Sequence, residues 1–110
     1  MNPQLINAVA ANLEDEIEVQ TQLLEALRRQ RLHLLEGETG ATEEVTDRIS
    51  GLLERTDRNR VNRAALLRSA GVDPDGEEPV NTLATRAKNG SGERLMGLRR
   101  MLVGLSLIHI

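Results

Sequence analysis

Residues 4–36 contain neither proline nor glycine, and their apolar residues recur at alternating intervals of four and three. Seven of the nine positions on this seam are apolar, which is the heptad pattern of a coiled-coil helix rather than the alternation of a strand. Asn2 and Pro3 suit a helix start, because Asn caps helices and Pro at the first helical position loses no needed N–H. The pattern predicts one helix over residues 3–36, about 50 Å long.

A second heptad seam follows a break that contains glycine. Gly37 is predicted to end the first helix in the left-handed conformation. Thr42 is predicted to cap a second helix over residues 42–70, with Glu43 and Glu44 in its first turn, where the helix dipole favours acidic side chains. Two long helices joined by a short break fold most simply into an antiparallel hairpin.

Folding this hairpin about Thr39 predicts which residues of the two helices face each other. Two polar seam positions, Gln20 and Asn59, then meet, and a buried amide pair of this kind penalises slipped alignments. The agreement between the polar positions supports the alignment. The predicted pairs are Leu34–Val45, Leu27–Leu52, Gln20–Asn59, Leu13–Leu66 and Arg31–Asp47.

The chain after the hairpin predicts two shorter helices. A turn rich in Asp, Pro and Gly precedes a helix over residues 79–87 that begins with Pro79. A flexible break at residues 88–92, which contains two glycines, follows, and Ser91 is predicted to cap a final helix over residues 92–104. The fold class is therefore all-α, a long antiparallel helical hairpin followed by a short helix and an amphipathic C-terminal helix.

The last six residues, LSLIHI, differ from everything before them. One reading frame of a sequencing-library adapter translates to this peptide. We therefore interpret residues 105–110 as a non-native tail and expect the natural chain to continue beyond residue 104. Residues 1–104 are then a single helical domain, and His109 is no candidate ligand.

Composition excludes several classes of function. The chain contains no Cys, Phe, Trp or Tyr, which removes thiol chemistry, cysteine-bound zinc and aromatic base stacking. A net charge of −3 is too balanced for a general nucleic-acid binder. No phosphate-binding loop, nucleophile elbow or cofactor motif is present, so the sequence predicts neither an enzyme nor a cofactor. No secretory signal and no membrane span are recognised, which predicts a cytoplasmic protein.

Three groups of polar residues could carry chemistry, and each has a structural interpretation. His33 has no metal-ligand partner at a suitable spacing on its helix, so no metal site is predicted. The acidic cluster at residues 14–18 is interpreted as a solvated face, because a long exposed helix offers no cleft. The basic stretch at residues 58–63 could contact nucleic-acid phosphates, but charge balance disfavours this. Arg63 is expected instead to face a carboxylate of the first helix or to cover the seam with its aliphatic stem.

The C-terminal helix is the most informative segment. Leu95, Leu98, Met101 and Leu102 share one face, which is typical of an amphipathic helix. This face can complete the core of the hairpin as a third helix. It can also bind a partner helix, with methionines supplying an adaptable apolar surface. Both interpretations stay open from the residues alone.

Two stretches then resemble a known family. They are LLEAL at residues 23–27 leading to LLEGE at residues 34–38, and NRAALL at residues 62–67 followed by Gly71, an acidic Pro turn and another helix. Together they resemble the FlgN-type flagellar export chaperones over residues 13–104. The family's aromatic residues expected in some C-terminal helices are missing here.

The resemblance implies a small cytoplasmic chaperone without catalytic activity. It would bind the C-terminal helical segment of flagellar hook-associated proteins and deliver them to the export gate of the flagellar type III secretion system. By the same resemblance, client contact falls on the C-terminal helix, at Leu95, Met96, Leu98, Arg99, Met101 and Leu102. The alternative is a structural coiled coil that associates with itself into a homodimer or a four-helix bundle.

Overall fold

The computed structural model describes residues 2–87 and 91–108, with side chains described as far as Leu105. All the regular structure in these residues is helical, which confirms the all-α hairpin expected from the sequence. The molecule is elongated, measuring 53 × 22 × 21 Å. The helices are α1 (Pro3–Glu36), α2 (Thr39–Ser69), α3 (Pro79–Arg86) and α4 (Ser91–Ile108).

Helix α1 has the bounds that its sequence predicts. The Asn2 side chain accepts a hydrogen bond from the Gln4 backbone N–H at 2.9 Å, and Pro3 occupies the first helical position. Gly37 takes the left-handed conformation, with φ of +73°, and ends the helix. Local capping chemistry therefore fixes both ends of α1.

Helix α2 begins earlier than predicted, at Thr39 instead of Thr42. Glu38 occupies the cap position without a side-chain hydrogen bond, and the Thr42 hydroxyl donates to the Glu38 carbonyl oxygen at 2.8 Å. Thr42 is thus inside the first helical turns and caps nothing, and the predicted place of Glu43 and Glu44 in the first turn was also wrong. The helix therefore includes Gly40 in spite of its low helix propensity, and the connection between α1 and α2 is only two residues long.

The predicted alignment of α1 and α2 is correct in part. Leu27 and Leu52 belong to the same apolar cluster, as expected. Asn59, however, donates to the Asp15 carboxylate at 2.7 Å, so the predicted Gln20–Asn59 amide pair was wrong. A charged acceptor makes a stronger hydrogen bond than a neutral amide, which explains why Asn59 takes this partner.

The end of the hairpin near the turn also departs from the predicted pairs. Leu34 is 63% exposed, so α2 does not cover it, although Val45 does pack against the apolar cluster of the hairpin. Arg31 and Asp47 form no ion pair in the described part of the chain. The two helices therefore meet along a narrower seam near the turn than the heptad pattern predicts.

Apolar side chains form two separate clusters along the hairpin. We call the first the base cluster, because it lies at the open end of the hairpin, where α3 and α4 pack against α1 and α2. The second, the middle cluster, lies between α1 and α2 alone, around Val19, Leu23, Ala26 and Leu52. The base cluster comprises Ile6, Val9, Ala10, Leu13, Leu67, Val72, Val80, Leu83, Ala84 and Leu95.

Helix α4 starts at Ser91 and continues to Ile108, past the predicted end at residue 104. Gly104 does not end it, because the apolar residues that follow include no proline and continue the helix. Ser91 is its first helical residue, so the cap predicted there was wrong. The break predicted at residues 88–92 was wrong for Ser91 and Gly92, which are helical, and its residues 88–90 lie outside the described residues. The single domain and the non-native tail stay predictions.

Candidate binding surface

The six residues predicted for client contact divide between two sides of α4. Leu95 is 0% exposed and belongs to the base cluster, and Leu98 and Leu102 pack against that cluster while remaining partly buried. Met96 and Met101 are exposed, at 39% and 58%. The leucines therefore attach α4 to the rest of the fold, and the methionines face solvent.

Ion pairs at its edges also hold α4 in place. Arg94 pairs with Glu14 of α1, and Arg99 Nη2 lies 3.5 Å from Glu78 Oε1 at the start of α3. These side chains are partly exposed, so each pair adds little stability, at most about 1 kcal/mol. Arg99 thus has a structural partner in addition to its predicted role in client contact.

The outer side of α4 has apolar side chains on its two flanks, and glycines together with the exposed Arg100 along its middle. Val103 is 44% exposed and lies seven residues after Met96, so the two share one flank, while Met101 lies on the other. Between the flanks are Gly97 and Gly104, and a Cβ atom added to either would meet nothing within 4 Å. We call this region, formed by Met96, Gly97, Met101, Val103 and Gly104, the outer face of α4. The sequence analysis missed Val103, although its seven-residue spacing from Met96 could have indicated it.

A close contact between backbones positions α4 against α3. A Cβ atom at Gly92 would collide with the carbonyl oxygen of Ala84. Only glycine permits this approach without a shift of one helix. The contact therefore fixes where α4 begins, and with it the position of the outer face.

The acidic cluster at residues 14–18 is not the solvated face that the sequence predicted. Glu16 is buried, and its carboxylate lies 3.2 Å from Arg63 and 3.6 Å from Arg60. Asp15 pairs with Arg55 at 3.2 Å. The interpretation was wrong because α2 brings three arginines against this part of α1, and their charges compensate the carboxylates.

The same contacts decide between the two interpretations of Arg63. Its guanidinium donates to the Glu16 carboxylate at 3.2 Å and to the Asn12 side chain at 3.0 Å. The expected contact with a carboxylate of the first helix is thus confirmed. Arg60 and Asn59 of the same basic stretch also face α1, so the stretch serves the hairpin itself.

A group of possible metal ligands lies at the turn between α1 and α2. One ligand atom from each of His33, Glu36 and Glu38 lies within 4.8 Å of the others. The statement that His33 lacks a partner on its helix was therefore wrong, since Glu36 follows it by three residues. Both glutamates are exposed, and crowded exposed carboxylates are common without an ion.

The turn does perturb one carboxyl group. A hydrogen bond with the Glu38 side chain raises the pKa of Glu36 above its ordinary value, and the Glu38 charge raises it further. The Nδ1 atom of His33 lies 3.4 Å from Glu38 Oε2. The carboxylates of Glu36 and Glu38 therefore repel each other, and the nearby imidazole of His33 offsets part of this repulsion.

Fold and surface together define a class of protein. The molecule is a helical hairpin with a docked helix, α4, whose outer side exposes Met96, Met101 and Val103, as in proteins that bind helical segments of partners. No helix in the described residues has the length and apolar character needed to cross a membrane.

Comparison with known protein families identifies the family. A family model described as FlgN protein matches residues 1–105 of the 110-residue chain. The chain therefore belongs to the FlgN family, a family of flagellar export chaperones rather than of enzymes, and the resemblance seen in the sequence is confirmed. Searches of curated proteins and of solved structures each find no match to the chain.

Proposed function

We propose that this chain is a cytoplasmic chaperone that binds the C-terminal helical segment of flagellar hook-associated proteins and holds it until export. Family membership supports the general role in flagellar assembly. The observation that supports a binding site on this chain is the outer face of α4, where Met96, Met101 and Val103 are exposed. The proposed partners downstream are components of the flagellar export gate.

The chemistry of the outer face suits a helical client. An amphipathic helix left free in the cytoplasm exposes an apolar stripe that favours aggregation. Methionine side chains are unbranched and adapt to different apolar surfaces, which suits reversible binding of more than one client. Gly97 and Gly104 leave space for a client helix to approach the α4 backbone.

The six predicted residues have different parts in this proposal. Met96 and Met101 contact the client directly, with Arg99 at the edge of the site. Leu95, Leu98 and Leu102 keep α4 on the base cluster, and they reach a client only if α4 leaves this position. Direct contact by all six is therefore a second mode of binding, which requires α4 to separate from the hairpin.

The test is a double substitution, Met96→Glu with Met101→Glu. We expect binding of a peptide that spans the C-terminal helix of a hook-associated protein to weaken by about tenfold or more, because two charges enter the apolar contact. Isothermal titration calorimetry measures the affinity, and far-UV circular dichroism checks that the helices are retained. The matched control is Val61→Glu, which places a charge at an exposed apolar residue of α2.

Two results would contradict the proposal. Equal affinity for the double variant and the Val61→Glu control would mean that the outer face does not contact the client. A stable dimer by light scattering, with a mass that does not respond to client, would favour the alternative of a self-associating coiled coil. Loss of helix–helix docking on client addition would instead indicate the second mode of binding.

A further inference from the structure

One side of α1 is covered by other helices at the base of the hairpin and is uncovered near the turn. Leu13, Leu24 and Leu35 follow one another at intervals of eleven residues, which is close to three helical turns, so they lie on the same side of α1. Leu13 is 1% exposed, Leu24 is half-buried and Leu35 is 77% exposed. Leucines continue along this side of α1 as far as the turn, but the helices that cover it at the base do not extend that far.

The cover ends where α4 begins. Arg94, near the start of α4, pairs with Glu14, and in the described residues no α1 residue beyond Leu13 belongs to the base cluster. Beyond Glu14, about 33 Å of α1 therefore extends past the base cluster toward the turn, and the middle cluster joins this part to α2. The surface under α4 and the uncovered surface are two parts of one continuous side of α1.

The uncovered part contains leucines and arginines side by side. We call it the tip stripe. At about 100° per residue, its members fall within about 120° of the α1 circumference. It comprises Leu24, Arg28, Arg31, Leu34 and Leu35, and Leu27 at its edge packs against the middle cluster instead.

Among the residues that the structure describes, the two arginines of the tip stripe have no acidic partner. Arg28 and Arg31 are exposed, and neither forms an ion pair or a side-chain hydrogen bond with any residue in the described ranges 2–87 and 91–108. Their neighbour Arg29, which lies on a different side of α1, does pair with Glu25 at 2.9 Å. The tip stripe therefore carries positive charge beside apolar surface, with no carboxylate among its own residues.

We infer that the tip stripe is a docking surface for an acidic amphipathic helix of another protein. Helix α4 shows how this side of α1 accepts a helix, with leucines facing inward and a charged side chain paired at the edge. At the base, the α1 edge is acidic at Glu14 and the docked helix supplies Arg94. At the tip the edge is basic, so the complementary helix carries carboxylates beside its apolar stripe.

The same charges disfavour a second copy of this chain as the occupant. Two copies that met through their tip stripes would bring four arginines into one interface. No carboxylate on either stripe would offset them, and like charges in an interface cost several-fold in affinity or more. The tip stripe lies on α1, apart from the outer face of α4, so this inference goes beyond the proposed function. Experiments can therefore refute the tip stripe as a docking surface without refuting client binding at the outer face, and the reverse.

The probe is a peptide made from α4 itself, because α4 already matches this side of α1. Residues 91–105 are synthesised with Arg94→Glu, Arg99→Glu and Arg100→Glu, and with Gly97→Ala and Gly104→Ala to raise helicity. A second peptide keeps the three arginines and is otherwise identical. Each carries an added N-terminal tryptophan, whose emission reports binding alone because the chain contains no Trp or Tyr.

We expect the acidic peptide to bind the full chain and the arginine peptide to bind it more weakly. The variant Arg28→Glu with Arg31→Glu should lose about tenfold or more in affinity for the acidic peptide and gain affinity for the arginine peptide. Leu35→Glu should also weaken binding without loss of helix, because Leu35 is exposed. The matched control, Arg58→Glu with Arg68→Glu, makes the same change in net charge at exposed positions of α2 and should leave both affinities within about twofold.

Three outcomes would overturn the inference. The first is an acidic peptide that does not bind, or that binds the tip variant and the α2 control equally. The second is equal binding of both peptides to the unaltered chain, which would show that charge does not select the partner. The third is a dimer, detected by light scattering, that Leu35→Glu converts to a monomer, since a second copy would then cover the tip stripe.

Discussion

The base and the tip of the hairpin are built from the same kind of sequence, and they have opposite surfaces. Leucine and isoleucine recur along α1 from Ile6 to Leu35, yet the leucines near the turn, Leu32, Leu34 and Leu35, are all more than half exposed. At the base, α3 and α4 add a layer that buries the equivalent positions. Periodic apolar residues therefore specify a helix and its apolar side, whereas the helices that follow in the chain, α3 and α4, decide which part of that side is covered.

The largest expected contrast is between leucines at the two ends of α1. Leu13→Ala should lower the free energy of unfolding by about 2–5 kcal/mol, because it opens a cavity in the base cluster. Leu35→Ala should change it by about 0.5 kcal/mol or less, since the side chain is already exposed. Urea unfolding followed by circular dichroism measures both, and similar losses at the two positions would contradict the comparison.

The polar contacts between the two clusters should rank next. Arg63→Met should destabilise the fold by about 3 kcal/mol, because it leaves the buried Glu16 carboxylate with only the exposed Arg60 beside it. Glu18→Gln, at an exposed position two residues after Glu16 and on the other side of α1, should have almost no effect. Equal unfolding midpoints for the two variants would show that the network does not fix the hairpin.

The contact that places α4 on the base should have a smaller effect. Gly92→Ala should destabilise the fold by about 1–3 kcal/mol, because the new methyl group collides with the Ala84 carbonyl oxygen. Gly97→Ala makes the same chemical change on the same helix, where a Cβ meets nothing within 4 Å, and should stabilise by about 0.5–1 kcal/mol. Thermal unfolding tests whether Gly92→Ala lowers the melting temperature while Gly97→Ala raises it.

The smallest effect should come from the turn at the tip. The Glu36 carboxyl should titrate above its ordinary pKa, and Glu38→Gln should bring it back toward that value, because it removes the charge of Glu38. A raised pKa in the folded state means a contribution to stability that is present at low pH and is lost as pH rises through the raised value. Carbon-13 NMR of the glutamate carboxyls measures the titration, and an ordinary pKa in the unaltered chain would contradict it.

Capping residues made some elements predictable. The bounds of α1 followed from Asn2, Pro3 and Gly37, because those side chains and that backbone conformation act locally. The start of α2 did not, because the helix begins without a side-chain cap and includes Thr39 and Gly40 in spite of their weak local preference.

Contacts between residues far apart in the sequence explain the parts of the fold that could not be predicted. The heptad seam aligned Leu27 with Leu52 correctly, but it paired Asn59 with Gln20, since spacing alone does not show that a carboxylate at Asp15 competes for the same donor. For α4 the sequence predicted an amphipathic helix. It could not divide Leu95 from Met96 and Met101 as inner and outer residues, because that division depends on how α4 is rotated against α1 and α3.

The two-residue turn at Gly37 and Glu38 has a consequence for how this molecule can change. Both long helices leave the turn at once, so no loop exists there that could fold back over the exposed leucines. The chain that follows α2 departs from the opposite end of the hairpin, a full helix length away. Lengthening the turn would therefore be the shortest route by which the same polypeptide could shield its own tip, and keeping it short leaves that surface available to other molecules.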